Sequence, residues 1–125
     1  MARILVMEDD PSFRNAVRVV LEAAGYEVID AADGAVGLRL HREQGADLVL
    51  VDIFMPERDG LEVIRALKIE APGAKIIAMS GGGTALKISL LDEAAALGAS
   101  RILSKPFHPS ALLKAIRELL DKGER

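Results

Sequence analysis

The chain of 125 residues contains no cysteine, and its only histidines are His41 and His108. The absence of cysteine excludes a disulfide framework and any metal site built on thiolates. Neither histidine has a partner at the spacing of a metal site or a phosphorelay, so both are interpreted as surface residues. The length suits one domain with a substantial core, and we predict a single domain over residues 1–125 without an output domain.

Long apolar runs and an excess of positive charge are also missing. No run approaches the roughly 20 apolar residues of a membrane-spanning helix, and the N-terminus lacks a charged-then-apolar signal sequence. We therefore expect a cytoplasmic protein without a membrane partner. The formal net charge is -3, and the 16 basic residues are spread along the chain, which disfavours direct binding to nucleic acid.

Short apolar runs of strand length alternate with segments of helical spacing. The runs are RILVM (3–7), YEVIDA (26–31), DLVLV (47–51), AKIIAM (74–79) and SRIL (100–103). Strands rich in Val and Ile that alternate with helices indicate a parallel sheet covered on both faces. Because five units are too few for a closed barrel, we predict an α/β, doubly wound (βα)5 fold. This flavodoxin-like three-layer sandwich has the common strand order 2-1-3-4-5.

The predicted helices carry signals at both ends. Asp10 is expected to cap the first helix, with Pro11 at its first position, and Asp33 and Asp59 are expected to cap later ones. Glycines that precede a strand are expected to be left-handed, namely Gly25, Gly45 and Gly98. The buried stripe of the first helix is predicted to contain Phe13, Val17, Val20 and Ala24.

Polar side chains follow four of the predicted strands at the point where each strand ends. They are Glu8 and Asp9 after the first strand, Asp52 after the third, Ser80 after the fourth and Lys105 after the fifth. In an open α/β sheet these ends share one edge, so the groups should converge. Carboxylates about 4 Å apart repel by roughly 1 to 4 kcal/mol at effective dielectrics of about 80 to 20, so a cation is expected among them. Oxygen ligands without His or Cys favour Mg²⁺.

Four segments, in this order and spacing, resemble the receiver domain of bacterial two-component response regulators, of the stand-alone type. The segments are ILVMEDD, LVDIFMPERDG, IIAMS and SKPF, and the resemblance runs from about Arg3 to Leu120. It implies a phosphorylation-activated signalling receiver in which Asp52 accepts a phosphoryl group from a sensor histidine kinase or a phosphotransfer protein. Such a domain catalyses only its own phosphorylation and dephosphorylation, so the resemblance implies no other enzymatic activity.

The resemblance also implies a role for each residue at the predicted edge. The implied metal ligands are Asp9 and Asp52 directly, Glu8 through water, and the backbone carbonyl of Phe54. Ser80 would hydrogen-bond the phosphoryl group, and Lys105 would pair with it. A cis peptide bond between Lys105 and Pro106 is also implied, although only about 5 to 6 per cent of X-Pro bonds in folded proteins are cis.

One departure from the usual receiver pattern keeps an alternative open. Ile102 stands where a Tyr or Phe commonly changes rotamer, so the switch is assigned to Ser80 and Ile102. A degenerate receiver acting as a constitutive protein-binding module is therefore the alternative. A phosphatase with an aspartate nucleophile usually has a second acid two residues further on, and Phe54 occupies that position here. The intact set of acids, serine and lysine favours the phosphorylated receiver over both.

The last two helices contain more leucines than one buried stripe requires. The predicted buried residues are Ile88, Leu91 and Ala95 in the fourth helix and Leu112, Ile116 and Leu119 in the fifth. The additional ones are Leu86, Leu90, Leu97, Leu113 and Leu120. They either widen the buried face or form an apolar patch on the face of helix four, strand five and helix five. Such a patch would bind a downstream protein target or form a homodimer.

Overall fold

Strands and helices alternate along the chain in the computed structural model, which describes residues 1–55, 60–81 and 92–123. The strands are β1 (Arg3–Met7), β2 (Glu27–Ala31), β3 (Leu48–Asp52), β4 (Ile76–Ser80) and β5 (Arg101–Ser104). The helices are α1 (Pro11–Ala23), α2 (Gly34–Gln44), α3 (Gly60–Glu70), α4 (residues 92–97) and α5 (Pro109–Gly123). No helix within these ranges is long and apolar enough to cross a membrane.

The five strands form one parallel sheet in the order β2-β1-β3-β4-β5, which confirms the predicted doubly wound fold. The strand order reverses between β1 and β3, where Met7 pairs with Val51. The residues that follow this pair in the two strands, Glu8 and Asp52, therefore emerge side by side at the carboxyl edge. This is the position at which open α/β sheets bind ligands.

The hydrophobic core has two parts, one on each face of the sheet. Successive residues of β1 alternate between them, with Leu5 and Met7 in the first part and Ile4 and Val6 in the second. The first part packs against α2 and α3, and the second against α1 and α5. Since β3 and β4 are buried along their whole length, both faces of the central sheet are covered.

The predicted helix ends are confirmed wherever the structure describes them. Asp10 Oδ1 accepts a hydrogen bond from the backbone N of Ser12 at 3.0 Å, and Asp33 Oδ1 accepts one from Val36 at 2.9 Å. The prediction for Asp59 lies outside the described residues. The three predicted glycines have positive φ angles: 94° at Gly25, 72° at Gly45 and 120° at Gly98.

The buried helix faces differ in part from the predicted stripes. In α1 the fully buried residue is Leu21, whereas Ala24 is the exposed C-cap. In α4 Ala94 is buried and Ala95 exposed, so the inward face is one residue away from the predicted one. The predicted stripe of α5 is confirmed. Leucines 97, 113 and 120 are half-buried and pack against the core, and residues 86–91 lie outside the described ranges.

Candidate functional site

Three carboxylates meet at the carboxyl edge of the sheet, as the strand ends predicted. Asp52 is the last residue of β3, and Glu8 and Asp9 follow β1 directly. One carboxylate oxygen from each of the three lies within 4.8 Å of the others. Glu8 is only 1% exposed and Asp52 only 4%, whereas Asp9 is exposed. The cluster is therefore open to solvent on the side of Asp9.

The surroundings of the cluster disfavour its negative charge. Burial raises the pKa of Glu8, and the hydrogen bond from Lys105 opposes that rise. The pKa of Asp9 is also raised, first by loss of solvent and then by its neighbour Glu8. Among the described side chains of the cluster, three carboxylates surround one ammonium and leave an excess of negative charge. The groups that could bind a metal ion all offer oxygen atoms. Such a set fits a hard divalent cation such as Mg²⁺, which prefers carboxylate and water ligands.

Lys105 extends from the end of β5 into this cluster. Its Nζ donates to Glu8 Oε1 at 2.5 Å and to Asp52 Oδ2 at 3.4 Å. The backbone N of Lys105 donates to the carbonyl oxygen of Ser80 at 2.7 Å, which joins the ends of β5 and β4. The peptide bond between Lys105 and Pro106 is cis, so that prediction is confirmed. The shorter ion pair of Lys105 is therefore with Glu8, and the longer one is with Asp52.

The remaining predicted residues lie on or shortly after the neighbouring strands β3, β4 and β5. Ser80 is fully buried at the end of β4, and its Oγ donates a long hydrogen bond of 3.4 Å to the carbonyl oxygen of Gly81. The backbone N of Phe54 donates to Asp52 Oδ1 at 3.2 Å, and the Phe54 side chain is 47% exposed. Ile102 pairs with Ala78 of β4 and packs against the first part of the core. The backbone N of Phe54 and the ammonium of Lys105 therefore both donate to the Asp52 carboxylate.

Two residues of α1 reach the site, although the sequence predicted Phe13 only as part of a buried stripe and gave no role to Arg14. The Nζ of Lys105 lies 4.1 Å from the centroid of the Phe13 ring, and Arg14 Nη1 donates to the carbonyl oxygen of Glu8 at 2.8 Å. Both residues lie in the first turn of α1, which begins just after the acidic pair. They could have been predicted from the sequence, since they follow Asp9 by four and five residues. The helix begins at the site, so the side chains of its first turn lie close to it.

Gly60, the first residue of α3, is the other residue that the sequence analysis missed. Its backbone N donates to the carbonyl oxygen of Ile53 at 2.8 Å. A Cβ at this position would lie 2.5 Å from the Cα of Ile53 and would also overlap the carbonyl oxygen of Asp52. Only glycine allows the start of α3 to pack this closely on the backbone of the candidate nucleophile.

A model of the response regulator receiver domain matches residues 4–117. The chain belongs to this family. Its function is phosphorylation-activated signalling in a two-component system, and family membership does not favour the constitutive binding module. The acidic cluster of the receiver could hold a metal ion, in keeping with its geometry.

Relatives of similar length support this assignment. The response regulator receiver protein CpdR of Brucella abortus is 36% identical over 120 residues, which are 96% of this chain and 98% of that protein. The chemotaxis protein CheY of Thermotoga maritima is 32% identical over 94% of this chain and 96% of its own length. A CheY-like receiver domain protein from Methanospirillum hungatei has a solved structure with a TM-score of 0.90 and 31% identity, over 99% of this chain and 97% of that one. The chain spans about half the length of three transcriptional or DNA-binding regulators that it also matches.

Proposed function

We propose that Asp52 is the phosphoacceptor and that its donor is a phosphohistidine on a sensor histidine kinase or a phosphotransfer protein. The observation that supports this most directly is the position of its carboxylate. It lies at the end of a central strand, in an acidic cluster that fits a divalent cation, and within 3.4 Å of the ammonium of Lys105. Phosphoryl transfer depends mainly on positioning and on neutralising charge, and this arrangement provides both.

In the proposed step, an Asp52 carboxylate oxygen attacks the phosphorus atom of the donor. A new O–P bond forms as the P–N bond to the donor imidazole breaks, and the imidazole nitrogen leaves with the electron pair. The product is an acyl phosphate on Asp52. The ammonium of Lys105, now 3.4 Å from Asp52 Oδ2, would pair with a phosphoryl oxygen. The hydroxyl of Ser80 would donate a hydrogen bond to another.

We propose that Glu8, Asp9 and Asp52 hold Mg²⁺, with the backbone carbonyl of Phe54 as a further ligand. When bound, this ion would neutralise charge on the phosphoryl oxygens. Both Glu8 oxygens already accept hydrogen bonds, Oε1 from Lys105 and Oε2 from the backbone N of Asp10 at 3.1 Å. Glu8 is therefore suited to contact the ion through water, whereas the exposed Asp9 is free to bind it directly.

Mapping of the phosphorylated residue tests this proposal. The protein is incubated with acetyl phosphate and Mg²⁺, and the acyl phosphate is reduced with borohydride, which converts the modified aspartate to homoserine. Peptide mass spectrometry should find homoserine at position 52, and EDTA should abolish the conversion because the carboxylates then lack their counter-ion. Modification of another acidic residue, or labelling that EDTA leaves unchanged, would contradict the assignment.

We further propose that the face formed by α4, β5 and α5 binds a downstream protein target or a second copy of the chain. Ile102 of β5 supports this, because it pairs with Ala78 of β4, packs against the core and lies two strand positions before Ser104, which pairs with Ser80. A movement of Ser80 toward a phosphoryl group would therefore displace residues of β5. We propose that the protein meets its phosphodonor and its downstream target in the cytoplasm. The domain would catalyse only its own phosphorylation and dephosphorylation.

Amide hydrogen exchange in Mg²⁺ buffer, with and without beryllofluoride as a phosphoryl mimic, tests this output face. We expect altered exchange in β5 and along α5 in addition to the acidic edge, because β4 and β5 are joined at their ends. Without an aromatic side chain at position 102, the response should be modest. The mimic can shift the equilibrium between an inactive and an active conformation only as far as it binds the active one more tightly. Changes confined to the acidic edge would exclude this face.

A further inference from the structure

We propose that Phe13 is a positioning residue for phosphorylation, whose ring holds the ammonium of Lys105 beside Asp52. This inference rests on the proposed function of Asp52 and Lys105. It assigns a role in the reaction to a residue of α1 that would otherwise count only as part of the core. The contact between the ring and the ammonium is 4.1 Å, measured from Nζ to the ring centroid.

The hydrogen-bonding capacity of Lys105 leads to this assignment. An ammonium group has three donors and no acceptor. Two of the directions around Nζ lead to carboxylates, Glu8 at 2.5 Å and Asp52 at 3.4 Å. The Phe13 ring lies within the distance at which an aromatic face attracts a cation. The side chain of Lys105 is only 19% exposed, so this attraction is weakened less by water than it would be at an open surface.

The nature of the ring matters for the reaction. A third carboxylate would bind the ammonium strongly and would compete with an incoming phosphoryl group. The face of an aromatic ring attracts the cation without a full negative charge. Lys105 can therefore exchange Glu8 for a phosphoryl oxygen while it keeps its contact with Phe13. The ring would hold the ammonium near Asp52 both before and after transfer.

The Phe13 ring is itself supported by a second aromatic ring, and the Phe13 backbone is held at the start of α1. The ring of Phe107, two residues after Lys105, packs against it edge to face, with centroids 5.8 Å apart and ring planes at 84°. The backbone N of Phe13 donates to the capping carboxylate of Asp10 at 3.4 Å, which ties it to the first turn of α1. Both rings are half-buried and pack against the second part of the core. Phe13 is thus a preorganised support for the ammonium.

The first test compares Phe13→Leu with Phe13→Tyr, using the rate of phosphorylation by acetyl phosphate at saturating Mg²⁺. Leucine keeps apolar volume but has no aromatic face, so the rate should fall by about 2- to 30-fold. Tyrosine retains the aromatic face and should restore the rate to within about twofold of the parent. Thermal unfolding of each variant is measured in parallel, and a slow Phe13→Tyr variant of parental stability would contradict the proposal.

A fluorinated series separates the aromatic face from packing. Phenylalanine with one, two or three ring fluorines at position 13 keeps nearly the same shape but progressively weakens attraction for a cation. The logarithm of the phosphorylation rate should fall stepwise along the series. The same series on Phe107, which supports Phe13, is the matched control and should have a much smaller effect. In a Lys105→Met background the dependence at position 13 should disappear, and a flat series at position 13 in the parent would overturn the inference.

A nuclear magnetic resonance measurement tests the contact without phosphorylation. Protons above an aromatic ring are shielded, so the side-chain signals of Lys105 should lie upfield of those of the other lysines. Phe13→Leu should remove this displacement, and Phe107→Leu, which removes only the support of the Phe13 ring, should reduce it less. If acetyl phosphate fails to label the parent, the proposed function is wrong while this measurement still decides on the contact. Unshifted Lys105 signals in the parent would reject the positioning role.

Discussion

Asp52→Asn is expected to abolish Mg²⁺-dependent phosphorylation while it stabilises the metal-free fold. The amide that replaces the carboxylate is not a nucleophile at neutral pH, so intact-mass spectrometry should detect no phosphoryl gain after incubation with acetyl phosphate. Among the described residues, Asp52 lies near the carboxylates of Glu8 and Asp9 and near the Lys105 ammonium, so its removal relieves more repulsion than attraction. We expect a gain on the order of 1 kcal/mol in the free energy of unfolding in EDTA.

A matched aspartate controls for this substitution. Asp30 lies in β2 and forms a salt bridge with Arg18 at 3.0 Å, outside the acidic cluster. Asp30→Asn should label like the parent, and its stability should change by no more than about 1 kcal/mol, because that salt bridge is partly exposed. Undiminished labelling of Asp52→Asn would refute the phosphoacceptor assignment, and a large loss of its stability in EDTA would refute the electrostatic account of the cluster.

Gly60→Ala is expected to lower the free energy of unfolding by about 1 to 3 kcal/mol, the usual range for overpacking a close contact. The added Cβ would meet backbone atoms of Asp52 and Ile53, which cannot rotate away as a side chain can. Either α3 or the end of β3 must then move, and a displaced Asp52 should be phosphorylated more slowly. Urea unfolding and the rate with acetyl phosphate measure the two effects on the same variant.

Gly73→Ala is the matched control, because a Cβ at that position would have no neighbour within 4 Å in the described part of the chain. Gly73 is exposed and has no positive φ angle, so alanine should change stability by no more than about 0.5 kcal/mol. Equal stability of the two variants would show that the close contact at Gly60 can relax at no cost. If Gly60→Ala is destabilised but is phosphorylated at the parental rate, the close contact at Gly60 supports the fold and does not position Asp52.

The site could be anticipated because strand ends determine it. Once the strands alternate with helices, their order forces the residues after β1 and β3 to the same edge. The convergence of Glu8, Asp9 and Asp52 follows from that topology. The end of β5 delivers Lys105 to the same edge for the same reason. These predictions needed only the position of each residue along the chain.

The choice of partners within the site could not be predicted in this way. Lys105 rests closer to Glu8 than to Asp52, and its contact with Phe13 depends on the rotation of α1 and on a long, flexible side chain. Several rotamers of lysine would satisfy the same strand topology. Sequence position fixes where a backbone emerges from the sheet, whereas the packing around it decides which atoms meet.

The wrong prediction of the buried face of α4, where Ala94 and not Ala95 is buried, has a different cause. Three consecutive alanines at positions 94–96 have nearly the same size and hydrophobicity, so the sequence contains no periodicity that selects one of them for the core. The structure buries Ala94, which shares a helical face with Leu97 three residues later. In α1, adjacent apolar residues at positions 19–21 create a similar ambiguity, and Leu21 proves to be the buried one.

The unequal numbers of acidic and basic groups at the edge of the sheet have a kinetic consequence. Among the described residues, three carboxylates exceed the Lys105 ammonium and the Arg14 guanidinium by one negative charge when all are ionised. Phosphodonors are anions, and an anion that approaches this edge is repelled until a cation has compensated the excess. We therefore expect the proposed phosphorylation to have an order of addition, with the cation binding before the donor. A receiver built in this way would accept a phosphoryl group only after a cation had compensated this charge.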